Sequence, residues 1–245
     1  MNAATSLQIE RAQLRYQRAE LPAVMRRQAM SFDLPTLYLV RHGDTAWTEA
    51  HRHTGLTDLP LNERGEAHAR LLGERLRGIT FARVFTSPLQ RAARTCELCG
   101  FGAVAELDPD LLEWDYGRWE GRHTGDIMQQ WPGWELFRDG CPDGESPQDV
   151  ANRADRFVAR VHGIVGNVLA FSSGHIIRMI AARWLRLPPV VGRCFFCEPA
   201  SVGMLSFEHE SFDEPTIGLW NHVAQAKGDH DERSETGDRS GVNRP

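Results

Sequence analysis

The stretch LYLVRHGDTAWT, residues 37–48, decides the fold. Its first four residues are apolar, which is typical of a buried strand, and the run ends abruptly at Arg41, His42 and Gly43. Charged side chains at the carboxyl end of a buried strand, beside a glycine that lets a ligand approach the backbone, favour an anion-binding cleft. The alternative is a strand that simply reaches the surface there, since exposed Arg and His are common.

Strands and helices alternate along the rest of the chain. The predicted strands are residues 37–40, 83–86, 104–107, 167–172, 202–207 and 216–220. The predicted helices begin at Asn62, at Ser87 with Pro88, at Ser146 with Asp149, and at Ile176, the last ending at Leu187. This order predicts an α/β fold: a three-layer α/β/α sandwich with a mostly parallel central sheet and a small cap insertion.

The composition is that of an ordinary globular protein, with 41% hydrophobic and 25% charged residues. The net charge of −5 is uneven: residues 1–30 carry +3, residues 227–245 carry −1, and residues 31–226 carry −7. Because residues 31–226 are so acidic, we do not expect a nucleic-acid partner. The apolar runs are too short for a membrane span, no export signal opens the chain, and the five Cys are an odd number. We therefore expect a cytoplasmic protein with free thiols and no membrane partner.

The charge and hydropathy patterns divide the chain into three parts. Residues 31–226 are predicted to form a single domain, and residues 227–245 a disordered polar tail. Residues 1–30 are predicted to be a separate extension, either flexible or upstream of a true start at Met30. A basic partner-binding helix and a targeting segment are the alternatives for this extension.

Three predicted strand ends carry groups that suit an anion. The first ends in Arg41 and His42, the second is followed by Arg91, and the third is followed by His175. Carboxyl ends of parallel strands meet at one edge of a sheet, and helix N-termini there would add backbone N–H donors. A fourth segment, LLEWDYGRWEG at residues 111–121, surrounds carboxylates with aromatic rings, which favours a general acid.

The sequence contains the motifs RHG, GLTDLPLNERGEAHA, FTSPLQRAARTCE, LLEWDYGRWEG and GCPDGES. With these motifs it resembles the histidine phosphatase superfamily, the phosphoglycerate-mutase-like proteins. The resemblance runs over residues 36–222. It implies that His42 is a nucleophile that becomes phosphorylated, that Arg41 and Arg91 bind the phosphoryl oxygens, and that Glu113 protonates the leaving oxygen. It implies no metal and no cofactor.

Hydrolysis of a phosphate monoester suits these residue types. His42 must attack as a neutral imidazole, and a hydrogen bond from its other ring nitrogen to a carbonyl within residues 42–44 would fix the tautomer. The Arg charges nearby disfavour the imidazolium, and their planar donor forks match phosphoryl oxygens in a way that Lys could not. Glu113 must be protonated when the alcohol leaves and deprotonated when water attacks.

The sequence departs from the family pattern at two positions. Ser173 stands where the family has its second active-site histidine, and His175 lies two places further on. Either Ser173 leaves the phosphate pocket one cation short, or His175 substitutes from the first turn of the helix; we expect the substitution, and a surface histidine is the remaining alternative for His175. Thr48 stands where mutase-like members carry Asn as a phosphate contact, and it keeps a donor with a shorter reach.

The loop after residue 50 is predicted to cover the substrate. The family resemblance makes Arg52, Thr54 and Gly55 substrate contacts, whereas the alternative is a solvated polar loop. The aromatic cluster in residues 131–137 is predicted to be a small cap over the cleft.

Two C-x-x-C pairs, Cys96 with Cys99 and Cys194 with Cys197, have a spacing that zinc sites use. Their neighbours are apolar, so we expect buried hydrophobic thiols instead.

The sequence therefore predicts a metal-independent phosphomonoesterase that acts on small phosphorylated metabolites through phosphorylated His42. The segment between Glu113 and Ser173 is short compared with the insertion typical of mutases, and a mutase must seal its phosphoenzyme from water. A phosphoglycerate-mutase-type transferase and a non-catalytic binder of phosphorylated ligands are the alternatives. A homodimer is an open alternative for assembly.

Overall fold

The structure, a computed structural model, describes residues 34–224 of the chain. The predicted extension at residues 1–30 and the predicted tail at residues 227–245 lie outside these residues. Within the described part, no helix combines the length and the apolar character needed to cross a membrane.

A six-stranded mixed sheet forms the middle of the molecule, in the order β3-β2-β4-β1-β5-β6. The strands are β1 Thr36–Arg41, β2 Arg83–Thr86, β3 Ala105–Leu107, β4 Asn167–Ser172, β5 Ser201–Phe207 and β6 Pro215–Val223. The first four are parallel to one another, β5 pairs antiparallel with β1, and β6 pairs antiparallel with β5. The four parallel strands bring the carboxyl ends of β1, β2 and β4 to one edge.

Helices cover both faces of this sheet. They are α1 Ala46–Glu49, α2 Glu63–Leu76, α3 Gln90–Leu98, α4 Thr124–Gln130, α5 Leu136–Asp139, α6 Pro147–His162 and α7 Gly174–Trp184. Side chains of α6 and α7 pack in one apolar cluster, and side chains of α2 and α3 pack in a second cluster on the opposite face. The predicted α/β class and three-layer arrangement are confirmed.

Strand β1 lies between these two clusters. Leu37 and Leu39 point to the α6 and α7 side, whereas Tyr38 and Val40 point to the α2 and α3 side, as the two-residue period of a strand requires. Because all four are almost fully buried, the strand is apolar on both faces. The apolar run thus ends where the sheet itself ends, and Arg41 is its first partly exposed residue.

Local capping signals fixed two helix starts as predicted. Asn62 caps α2 by accepting a hydrogen bond from the backbone N–H of Gly65 at 2.8 Å. Ser146 and Asp149 form a reciprocal capping box at the start of α6. Both signals need only residues within one turn of the helix, so the sequence contains them in full.

Two other helix predictions were wrong in their boundaries. Helix α3 begins at Gln90 rather than at Pro88, and Leu89, not Ser87, is its N-cap. The start is set by a residue far away in the sequence, because Asp58 Oδ1 accepts the N–H of Gln90 at 2.8 Å. Helix α7 spans Gly174–Trp184, not residues 176–187.

Candidate active site

The ends of β1, β2 and β4 meet at the same edge of the sheet. Arg41 pairs in register with Ser172, and Thr86 pairs with Phe171. Residues that follow β1 and β4 line a cleft with a volume of about 890 Å³ at this edge. Its lining includes the predicted site residues Arg41, His42, Thr48, Arg52, Thr54, Glu113 and His175.

His42 lies at the bottom of this cleft and is 3% exposed. Its Nδ1 lies 2.7 Å from the carbonyl oxygen of Gly43, so Nδ1 carries the proton and donates it, and Nε2 keeps a free lone pair. Burial, followed by the charges of Arg91 and Arg41, holds the pKa of His42 well below its usual value. The predicted hydrogen bond to a carbonyl within residues 42–44 is present, and the imidazole is neutral at pH 7.

Gly43 is required by close packing behind the nucleophile. A Cβ at Gly43 would lie 2.4 Å from the carbonyl oxygen of Gly65 in α2, which no side chain tolerates. The N–H of Gly43 also donates to Thr95 Oγ1 in α3 at 3.1 Å. The backbone next to His42 is therefore held by both helices of one face, which fixes the direction of its imidazole.

Arg41 reaches across the start of α7. Its Nη1 donates to the carbonyl oxygen of Cys197 at 2.6 Å, and its Nε is a buried donor without a partner among the described residues. A Cβ at Gly174 would lie 3.3 Å from the guanidinium carbon of Arg41. The glycine thus lets the guanidinium lie against the first turn of the helix.

Arg91 is fully buried and is not among the lining residues of the cleft, but its charge acts on His42 and lowers the pKa of that imidazole. Its guanidinium donates to the carbonyl oxygens of Thr57 at 2.9 Å, Gly55 at 2.7 Å and Thr54 at 3.2 Å. Its Nε has no partner within residues 34–224. Burial lowers the pKa of Arg91, so its charge is held in place by these three carbonyls and by the field of Glu113.

In the loop predicted to cover the substrate, some residues line the cleft and others hold the loop in place. Arg52 and Thr54 line the cleft, and the hydroxyl of Thr54 donates to the carbonyl of Arg52 at 3.2 Å. Gly55 is not among the lining residues; its N–H donates to Glu120 at 2.9 Å and its carbonyl accepts from Arg91. Gly55 therefore supports the loop and offers no free donor to a substrate.

Thr48 lines the cleft, but its hydroxyl is already used. Thr48 Oγ1 accepts the N–H of Thr45 at 2.7 Å and donates to the carbonyl of Thr45 at 2.9 Å, within the capping box of α1. The predicted role as a phosphate donor does not fit this geometry. The sequence could not reveal this because α1 is only one turn long and the prediction did not include it.

Glu113 is 4% exposed and faces the first turn of α7. Its Oε1 accepts the N–H groups of Trp114 and Ile176, both at 2.9 Å, and its Oε2 accepts the N–H of His175 at 2.9 Å. Oε2 therefore keeps more free lone-pair capacity than Oε1. The carboxylate serves as the N-terminal cap that Ser173 does not provide, since Ser173 forms no side-chain cap bond.

Ser173 is fully buried, and its Oγ has no partner among the described residues. His175, which we expected to supply the missing cation, is the hydrogen-bond partner of Tyr116 in this structure. Its Nδ1 lies 2.5 Å from the hydroxyl of Tyr116, and burial, helped by the charge of Arg178, holds the pKa of His175 well below its usual value. The imidazole of His175 is thus neutral in this structure, which favours the alternative that Ser173 leaves the site without a second histidine cation.

Sequence reasoning missed the contacts of Tyr116 and Arg178. Tyr116 lies in the segment at residues 111–121, and its hydroxyl meets His175, 59 residues away. Arg178 lines the cleft with its guanidinium 4.7 Å from the ring centre of Phe137, and its Nε donates to the carbonyl of Gly192 at 3.0 Å. Both contacts join segments that are distant in the sequence.

The members of the aromatic cluster in residues 131–137 differ in how far they are buried. Trp134 and Phe137 are buried beside the cleft, whereas Trp131 is 40% exposed. Phe137 packs 5.7 Å from the ring of His175 and Trp134 packs 5.7 Å from the ring of His53. Trp134 and Phe137 therefore support two histidines that line the cleft.

The paired cysteines lie in apolar surroundings. Cys96, Cys99 and Cys197 are buried, and burial raises the pKa of Cys96 to about 12 and that of Cys197 to about 11. Cys194 is exposed. Because zinc binds thiolates, buried protonated thiols of this kind are poor ligands.

Comparisons with known proteins agree with this geometry. The family model described as histidine phosphatase superfamily (branch 1) matches residues 37–222. An acid phosphatase of Mycobacterium tuberculosis is 39% identical over 190 residues, which cover 76% of this chain and 93% of the relative. A sedoheptulose 1,7-bisphosphatase of Saccharomyces cerevisiae is 30% identical, with 76% of this chain and 92% of the relative covered.

A solved structure of an open reading frame from Mycobacterium tuberculosis superimposes with a TM-score of 0.73 and 36% identity. It covers 78% of this chain and 98% of that chain. The chain therefore belongs to the histidine phosphatase superfamily, in branch 1, and is a phosphatase.

Proposed function

We propose that this phosphatase hydrolyses small phosphomonoesters through a phosphohistidine on His42. The observation that carries the proposal is the state of that imidazole: its Nδ1–H is held by the carbonyl of Gly43, and the lone pair of Nε2 is free in a buried cationic pocket. A neutral imidazole at pH 7 is the form that attacks phosphorus.

In the first step, the lone pair of His42 Nε2 forms a bond to phosphorus and the bond from phosphorus to the ester oxygen breaks. The proton of the Glu113 carboxyl moves to that oxygen, and the alcohol leaves. In the second step, the Glu113 carboxylate takes a proton from water, the water oxygen bonds to phosphorus, and the phosphorus–Nε2 bond breaks. The three N–H groups around Glu113 suit the carboxylate that this second step needs.

Three buried donors without protein partners would bind the phosphoryl oxygens: Arg41 Nε, Arg91 Nε and Ser173 Oγ. The two guanidinium charges balance the roughly two negative charges of a phosphate monoester. Ser173 would supply a neutral hydrogen bond in place of the family's second histidine. We assign Arg52 and Thr54, which line the outer cleft, to the substrate beyond its phosphate.

The test is hydrolysis of p-nitrophenyl phosphate by wild type, His42→Ala and Glu113→Gln. His42→Ala should lose at least about 10⁴-fold in kcat/KM because the nucleophile is gone. Glu113→Gln should still release one equivalent of p-nitrophenolate, which leaves without a proton, and should then stall as phosphoenzyme. Mass spectrometry of quenched protein should find the phosphoryl group on His42 in this variant.

Full activity in His42→Ala, or phosphate on another residue of Glu113→Gln, would contradict the proposal. Adding 3-phosphoglycerate with its bisphosphate cofactor separates hydrolysis from transfer. Free phosphate as the product supports hydrolysis, and isomerised phosphoglycerate would indicate a mutase instead.

A further inference from the structure

We infer that His175 selects the leaving alcohol: its Nε2–H donates to a hydroxyl beside the ester oxygen, so monoesters of polyhydroxy alcohols are preferred substrates. Tyr116 is the positioning residue that sets the tautomer of His175. This inference rests on the proposed function, because it concerns the alcohol that leaves when His42 is phosphorylated.

The hydrogen bond from Tyr116 determines which nitrogen of His175 carries the proton. Tyr116 is 1% exposed, and His175 Nδ1 is the hydrogen-bond partner of its hydroxyl among the described residues. Burial raises the pKa of Tyr116 well above its usual value, so the phenol keeps its proton and needs an acceptor. Nδ1 accepts that proton, and the neutral imidazole therefore carries its own proton on Nε2.

The position of the ring brings the imidazole of His175 beside Glu113, the proposed acid. Glu113 Oε2, the oxygen with free capacity, lies 3.8 Å from His175 Nδ1 and accepts the backbone N–H of the same residue. A leaving oxygen protonated by Oε2 therefore lies next to the imidazole. The side chain of His175 is 24% exposed and lines the cleft, so the carbon adjacent to the ester oxygen is within its reach.

The surroundings of His175 suit an uncharged, hydroxylated carbon skeleton. Its ring lies 6.0 Å from His53, 5.7 Å from Phe137 and 5.9 Å from Tyr116. Burial lowers the pKa of His53 to about 4, so this imidazole is neutral as well. Aromatic faces with neutral donors provide packing for C–H groups and hydrogen bonds for hydroxyls.

The test compares two substrates that differ in their hydroxyls, glycerol 3-phosphate and n-propyl phosphate. We expect wild type to favour glycerol 3-phosphate by about tenfold in kcat/KM, the size of one good neutral hydrogen bond. His175→Phe removes the donor and should bring the ratio of the two kcat/KM values close to one. Tyr116→Phe leaves the ring of His175 in place but frees its tautomer, and should lower the ratio by about threefold.

His209→Phe, at an exposed histidine in the turn between β5 and β6, is the control and should keep the wild-type ratio. The ratio is independent of the fraction of folded protein, so it separates recognition from a general loss of structure. If wild type does not discriminate, or if His175→Phe keeps the wild-type ratio, the inference is overturned while the proposed function stands. If wild type hydrolyses neither ester, the proposed function fails and this inference fails with it.

Discussion

Ser173 occupies a position where an unpaired hydroxyl should be unfavourable. A buried hydroxyl normally forms a hydrogen bond, and Ser173 Oγ forms none with the described residues although the residue is fully buried. Its neighbour Ser172 shows the ordinary arrangement, since Ser172 Oγ donates to the carbonyl of Leu111 at 2.6 Å. Two adjacent serines of equal burial, one ending β4 and the other capping α7, thus differ in whether the hydroxyl has a protein partner.

This difference predicts opposite behaviour for the two alanine variants. Ser173→Ala removes no protein hydrogen bond, so the free energy of unfolding should stay within about 0.5 kcal/mol of wild type. Its inhibition constant for inorganic phosphate should rise about tenfold or more, because a hydrogen bond to a charged group is worth about 1.5–3 kcal/mol. Urea unfolding and inhibition by phosphate measure the two effects.

Ser172→Ala is the matched control. It leaves the buried carbonyl of Leu111 without its donor, so the free energy of unfolding should fall by about 1–3 kcal/mol. Loss of stability in Ser173→Ala, with unchanged phosphate inhibition, would assign Ser173 a packing role only.

For single residues, the sequence could predict a tautomer where the hydrogen-bond partner is the next residue in the chain. The tautomer of His42 was predictable because its acceptor, Gly43, is the next residue. The state of His175 was not, because it depends on Tyr116 and on the burial that α5 and the aromatic motif together produce. The structure favours a neutral His175 over the expected cation, for a reason that only tertiary structure contains.

Helix α7 owes its N-terminal cap to a residue outside the helix. Glu113 accepts the N–H groups of His175 and Ile176, and the N-cap Ser173 contributes no side-chain bond. A carboxylate at this place also interacts favourably with the positive end of the helix dipole. The proposed acid is thus also a structural element of the helix that carries the site.

This double role predicts an unusual effect of Glu113→Gln on stability. Replacing a charged active-site residue often stabilises a protein, because function and stability compete. Here the change weakens two charge-assisted bonds at a helix terminus, and the free energy of unfolding should fall by about 1–2 kcal/mol. Thermal and urea unfolding of the substrate-free protein measure it, and a rise in stability would exclude the capping role.

The elements that could be predicted are those whose ends are encoded locally. The capping box of Ser146 and Asp149 fixed the start of α6, and Asn62 fixed the start of α2. Ser87 with Pro88 looked like the same kind of start, but α3 begins two residues later, where the carboxylate of Asp58 accepts the N–H of Gln90. A cap supplied from another segment leaves no local pattern to find.

The whole molecule combines an acidic body with a cleft that contains three neutral histidines. The convergence of three strand ends was predictable, because it follows from the parallel order of the elements. The close fit that keeps His42, His53 and His175 neutral was not, because it comes from packing between segments. In all three cases burial is the largest cause of the lowered pKa.

These histidines predict how stability depends on pH. In the unfolded chain each takes up a proton near pH 6.5, whereas in the folded chain each does so only at lower pH. The unfolded state therefore binds more protons below pH 6.5, and the free energy of unfolding must fall as the pH falls from 6.5 toward the folded pKa values. For His53, with a folded pKa of about 4, the loss between pH 6.5 and pH 5 is about 2 kcal/mol.

Urea unfolding at intervals from pH 7.5 to pH 5 measures this loss, in a range above the pKa of ordinary carboxyl groups. His53→Gln retains a polar group beside Thr124 but cannot titrate, so its stability should fall by about 2 kcal/mol less than that of wild type over the same range. His42 and His175 should preserve a slope of the same sign in the variant. Equal slopes in wild type and His53→Gln would mean that His53 titrates alike in the folded and unfolded chains, and that the wall it forms with Tyr116 and Trp134 is open to water.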